Sequence, residues 1–89
     1  MEQKIKIFQK DLCDVGRIVI CAFSESYTNE KIKEFVLNYI KAYLLDTENE
    51  YAPIQTENDC ERVAQDITDG FAYNDCGDIY FIEEITYYS

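Results

Sequence analysis

The sequence predicts an α+β fold: a three-stranded antiparallel sheet with two helices packed on one face, in the order strand, strand, helix, helix, strand. Three observations carry that expectation. The chain opens with a period-two segment followed by a continuous β-branched run. Its middle holds two stretches whose apolar residues recur at helical spacing, and it closes on a second β-rich run. With 89 residues there is room for one domain, 1–89.

Lys4 to Gln9 places Ile5 and Ile7 on one side and Lys4 and Lys6 on the other, the pattern of a half-exposed strand. Residues 10–16 break it and end in Gly16, which suits a turn. Arg17–Phe23 is an unbroken apolar run, which reads as a strand buried on both faces or flanked by neighbours, the central one of the sheet. Ile32, Phe35, Val36, Tyr39, Ile40, Tyr43 and Leu44 then form a helical stripe, capped by Thr28 or Asn29 and ending near Asp46. Pro53 marks the following connection as extended. The second helix starts at Thr56, with Asp59 three residues on as a variant capping box. Cys60, Val63, Ala64 and Ile67 form its buried stripe, and Gly70 either ends it, the favoured reading, or sits inside a longer helix that reaches Tyr73 and adds Phe71 to the stripe. Asn74–Asp78 is turn chemistry, and Ile79 to about Tyr88 is the last strand. A bulge at Glu83-Glu84 would keep Ile82 and Ile85 on one side of it.

Charge divides the chain unevenly. Residues 42–89 hold twelve acids and one base, Arg62, for a net −11; residues 1–41 hold seven bases and six acids. The whole chain stands at −10, above the magnitude of roughly 2–8 that keeps a small domain soluble. Such an excess repels itself on folding, and a basic partner surface relieves it. Five Phe and eight Tyr separate the chain from disordered acidic tails.

The four cysteines fit reduced thiols: Cys21 and Cys60 stand at apolar positions, and Cys13 and Cys76 in loops. With no apolar leader at the start, and no run near the roughly 18 residues of a membrane span, the expected location is the cytoplasm. No catalytic signature stands out. Histidine is absent, which removes the commonest general base and metal ligand, and no Cys-x-x-Cys pair or Gly-rich phosphate loop occurs. The expectation is a non-enzyme with no cofactor and no metal. The pairs Asp66/Asp69 and Asp75/Asp78 leave open a small metal-binding module, and the last strand leaves open an oligomerisation module.

The candidate partner-binding residues are the acids of the second helix, Glu57, Glu61, Asp66 and Asp69, with Tyr73, Asp75, Asp78, Glu83, Glu84, Tyr87 and Tyr88 behind them. Carboxylates three and four apart on a helix address several basic side chains at once, and tyrosine both packs and hydrogen-bonds at interfaces. An acidic half argues against direct contact with nucleic acid. In size, in the acidic helix Glu57–Asp69 and in the acid- and tyrosine-bearing tail Asp75–Tyr88, the chain resembles the small anti-CRISPR and anti-restriction DNA mimics of phages and mobile elements. That likeness of type implies an inhibitor occupying the basic, nucleic-acid-binding surface of a host defence nuclease or effector, in the bacterial cytoplasm, as monomer or homodimer. An immunity or antitoxin-type inhibitor of a basic toxin is the alternative.

Overall fold

The computed structural model describes residues 2–13 and 15–88. The class is α+β as expected, but the antiparallel sheet has four strands. In chain order the elements are β1 (Glu2–Leu12), β2 (Gly16–Ser24), α1 (Asn29–Tyr43), α2 (Glu57–Thr68), β3 (Tyr73–Asp75) and β4 (Asp78–Tyr88). The sheet order is β2-β1-β4-β3, so β1 and β4 are central. They pair in unbroken register from Glu2↔Tyr88 to Asp11↔Ile79.

The unforeseen strand is β3, formed by the start of the Asn74–Asp78 turn. Asp75 and Asp78 face each other, and the two residues between them, Cys76 (φ +53°) and Gly77 (φ +101°), are both left-handed. Paired positive φ values match the twist of a two-residue hairpin. Asn74 Oδ1 accepts a 2.9 Å bond from the Gly77 amide and braces the turn.

Two other expectations need correction. The Arg17–Phe23 run is the edge strand β2, and Val19 in its middle is 59% exposed. An apolar run reports what touches the two faces of a strand; it carries no information about partners in the plane of the sheet. Nor is there a bulge at Glu83-Glu84. The bulge lies in β2, where Phe8 faces Cys21 but Gln9 faces Val19, leaving Ile20 as the extra residue. Ile82 and Ile85 consequently point to opposite faces of the sheet. β1 also extends beyond Lys4–Gln9 at both ends, because it has a partner on each side.

Both helices follow local chemistry. Thr28 caps α1 by accepting from the Lys31 amide, and Leu44 closes it, two residues short of Asp46. At α2, Thr56 Oγ1 accepts from the Asp59 amide at 3.1 Å while Asp59 Oδ2 accepts from the Thr56 amide at 3.2 Å, a full capping box. Gly70, at φ +102°, ends α2: its amide bonds Ile67 O, and the Phe71 amide bonds Asp66 O. That pair of bonds is the Schellman arrangement.

The core lies between the sheet and the helix pair. Phe8, Phe23 and Tyr80 rise from the strands to meet Ile32, Val36 and Ile40 of α1 and Cys60, Val63, Ala64 and Ile67 of α2. Phe8 is fully buried and meets Phe35 and Tyr39 edge-on, at centroid distances of 6.4 and 5.4 Å. Ile54, from the α1–α2 connection, is also fully buried.

Candidate functional site

α1 begins beside Lys6, whose Nζ donates to Asn29 Oδ1 at 3.1 Å, and by Tyr39 it has reached Tyr80, ring centroids 6.0 Å apart. The connection after α1 therefore leaves at the end of the sheet where β4 starts. Asp46, Glu48 and Glu50 lie in that connection, the capped start of α2 with Glu57 and Asp59 follows it, and the Asp75–Asp78 turn precedes β4. Seven carboxylates thus gather toward one end of a molecule 50 Å long.

The connection is held in shape. Asp46 Oδ1 accepts from the amides of Glu48 and Asn49 at 3.1 and 3.2 Å. The Gln55 side-chain amide donates to Glu50 O and Ala52 O at 2.6 and 2.8 Å, and the Asp46 amide donates to Ile54 O at 3.0 Å. The first of these bonds had a sequence signal, an Asp followed by a polar turn, which places Asp46 as a local acceptor. The Gln55 tether had none.

The sequence-derived site residues divide among three places. Glu57, Glu61, Asp66 and Asp69 are exposed on or at the end of α2. Tyr73, Asp75 and Asp78 sit half-buried around the hairpin. Glu83 is half-buried on β4, and Glu84, Tyr87 and Tyr88 are exposed toward its far end. A strand rises about 3.3 Å per residue, so β4 carries Tyr88 about 33 Å away from Asp78. Glu57, at the start of α2, lies toward the hairpin's end of the sheet. Asp66 and Asp69 lie at the other end of α2, where Asp69 lines a depression with Asn29, Glu30 and Lys33 of α1, and the β4 tail stands apart from the hairpin.

Ion pairs discriminate further. Lys33 Nζ reaches Glu61 Oε2 at 3.2 Å, Lys10 Nζ reaches Asp78 Oδ2 at 3.6 Å, Arg17 Nη1 reaches Glu83 Oε2 at 3.0 Å, and Arg62 Nη2 reaches Asp59 Oδ1 at 3.6 Å. Glu84 lines a depression with Lys4 and Lys6. Among the described residues, Asp46, Glu48, Glu50, Glu57, Asp66, Asp69 and Asp75 have no such partner. Glu2, Asp11, Glu25, Glu30, Glu34 and Glu84 likewise stand outside these ion pairs; the seven differ from all of these but Glu84 in coming from residues 42–89, where Arg62 is the one base.

No protein-family model matches the chain, and no curated protein or solved structure matches it either. The chemistry of the site must be judged on its own residues.

Asp66 and Asp69 occupy an unfavourable place. They stand at the C-terminal end of α2, where the helix carries partial negative charge, and its last turn contains no base. Each carboxylate there costs a few tenths to about 1 kcal/mol in ordinary cases. Asp69 is held by a 2.9 Å bond from the Gln65 side chain. By contrast, Asp59 at the helix start accepts from the Gln55 and Thr56 amides, and the Gln55 bond does most to hold its carboxyl below the usual range.

Tyr73 packs against the core and its hydroxyl donates to Asp75 Oδ1 at 3.4 Å. Burial, and then the neighbouring Asp75 charge, push its pKa up to about 12. The neutral phenol is therefore the folded form. Its contribution to stability is complete below the ordinary tyrosine pKa near 10 and is lost as pH rises through about 12. Tyr73→Phe should flatten the loss of stability between pH 10 and 12, read from urea midpoints alongside tyrosinate absorbance. An unchanged alkaline slope would remove Tyr73 as its source.

Cys60 lies wholly inside the core, where burial raises its thiol pKa, so it behaves as a small apolar side chain. Among the described residues, no three His, Cys, Asp or Glu side chains converge as a metal site. None of the described helices is long and apolar enough to cross a membrane.

Proposed function

We propose that this chain is an acidic protein inhibitor that occupies the basic, nucleic-acid-binding surface of a nuclease or effector, in the manner of anti-CRISPR and anti-restriction DNA mimics. The supporting observation is the position of Asp66 and Asp69. Carboxylates at the negative end of a helix work against folding, and these two lie at the other end of α2 from Glu57 and the acidic connection before it. A local cost to stability is the recurrent trade-off at functional surfaces, and it supports a binding role for these two residues. The contact region in this proposal is the outer side of α2, the 44–56 connection and the β3–β4 turn. Glu83 and Glu84, set beside Arg17 and the lysines, contribute little charge to it.

Binding through such a surface is steered by charge and weakens with salt. The test is affinity capture from host lysate at low and high salt, with the intact chain and with the double variant Asp66→Lys/Asp69→Lys. The variant should lose at least about tenfold in binding, equivalent to about 1.4 kcal/mol. Its fold should become more stable by about 0.5–1 kcal/mol, because lysine complements the helix end. Partners eluting with salt and competing with duplex DNA support the proposal. Undiminished binding by the variant would remove the α2 surface from it, and capture of a basic toxin that no nucleic acid competes with would favour the immunity-type alternative.

A further inference from the structure

The helices cover one face of the sheet. On the other, Ile5 and Ile7 of β1, Val19 of β2, and Ile79, Phe81 and Ile85 of β4 lie side by side through the pairs Ile5↔Ile85, Gln9↔Phe81, Gln9↔Val19 and Asp11↔Ile79. Among the described residues, no element packs over them: the helices contact each other, β3 and β4, and the core they enclose lies on the opposite side. The molecule is 18 Å in its thinnest dimension, one sheet and one helix layer. Both β2 and β4 therefore carry apolar side chains on two faces although only one is covered.

This face differs from the rest of the surface in charge. Its charged groups are Asp11, Arg17 and Glu83, a net −1 on a chain of −10. Arg17 bonds Glu83 at 3.0 Å and lies over the Phe81 ring at 5.2 Å, so the charge is largely closed on itself. Gln9, at the centre between Val19 and Phe81, is only 5% exposed. Nothing on this face asks for a partner of opposite sign.

We infer that the open sheet face is the contact surface of a homodimer, two copies of this chain packing sheet against sheet about a two-fold axis. A two-fold contact requires a surface complementary to itself, and an apolar field around one internal ion pair satisfies that. Three strands about 4.8 Å apart and about nine residues long span roughly 430 Å² in plan. Side-chain relief enlarges that figure, and two such faces together reach the roughly 1,000 Å² at which specific interfaces begin. Electrostatics fit as well. Facing sheets pack about 10 Å apart, which leaves the two helix layers on the outside and about 30 Å from each other. At physiological salt the screening length is about 8 Å, so the acids of one copy scarcely feel those of the other. The inference is independent of the inhibitor proposal, since the surfaces lie on opposite sides of the sheet.

The test is sedimentation equilibrium of the full chain from micromolar to millimolar concentration, with Phe81→Glu and Ile7→Glu as interface variants and Ile18→Glu, on the helix side of the β2 edge, as comparison. The intact chain should sediment with the mass of two chains. Either interface variant appears twice across a two-fold contact and should weaken association at least about a hundredfold; the comparison variant should leave it unchanged. A one-chain mass at every concentration overturns the inference and assigns the face to a different partner. Loss of dimer only in Ile18→Glu also overturns it and assigns the contact to the β2 edge. Where a variant misfolds by circular dichroism, isotope-filtered NOEs in a mixture of labelled and unlabelled intact chain decide. Cross-chain contacts among Ile5, Ile7, Ile79, Phe81 and Ile85 are expected, and their absence in a two-chain species overturns the inference.

Discussion

Phe8→Ala should destabilise the fold by about 3–5 kcal/mol, the range for removing a large aromatic side chain from a core. A domain of this length has on the order of 4–13 kcal/mol in total, so a substantial share of molecules would unfold under mild denaturant. The size of the effect follows from position. The ring is fully buried on a central strand, with edge contacts to Phe35 and Tyr39 and a tilted contact to Tyr80 at 6.3 Å. Its removal therefore leaves a cavity bordered by aromatic rings from both layers, which cannot collapse without moving α1. The measurement is the urea midpoint at constant m-value. A midpoint close to that of the intact chain would mean that the sheet and α1 hold together through other residues.

The second large effect belongs to Ile54→Ala, expected to cost about 2–5 kcal/mol. Ile54 anchors the connection that carries Asp46, Glu48 and Glu50, and its carbonyl accepts from the Asp46 amide. Losing the anchor frees the carboxylates as well as weakening the core. If the connection belongs to the binding surface, affinity should fall more than the population of folded protein does, because the segment must then be ordered on contact. Hydrogen exchange of the Asp46, Glu48 and Asn49 amides reports the loosening directly. Slow exchange at those amides in the variant would show that Asp46 and Gln55 hold the segment without Ile54.

Much of the fold was legible because the signals are local. The Thr56/Asp59 capping box, the Cys60–Ile67 stripe and the Gly70 stop each depend on a few neighbouring residues, and each stands where the sequence puts it. Long-range choices were not legible. The apolar run of β2 points to a central strand, yet the chain places β4, which arrives last in sequence, beside β1. β3 escaped because three residues ending in a turn have no period of their own. A bulge at Glu83-Glu84 is needed only if Ile82 and Ile85 must share a face, and they need not, because the open face is apolar too. The acidic character of the site was visible in the composition. Its division was not, since ion pairs such as Lys10–Asp78 and Arg17–Glu83 join residues far apart in the chain.

The extra residue at Ile20 has a consequence for how this strand tolerates changes in length. Removing one residue from a regular strand turns every following side chain to the other side of the sheet. At Ile20 the effect is reversed: Val19 already faces Gln9 and Cys21 already faces Phe8, so excising the residue between them leaves both where they are. Such a deletion forfeits the packing of Ile20 against the core but keeps Phe23 inward. Deleting Ala22 instead would turn Phe23 out or force the edge strand to slide along β1. Comparing the two deletions by chemical-shift mapping of β1 would show the first preserving its pattern and the second scrambling it, which makes this the one point along the edge strand where the chain can shorten without losing its place.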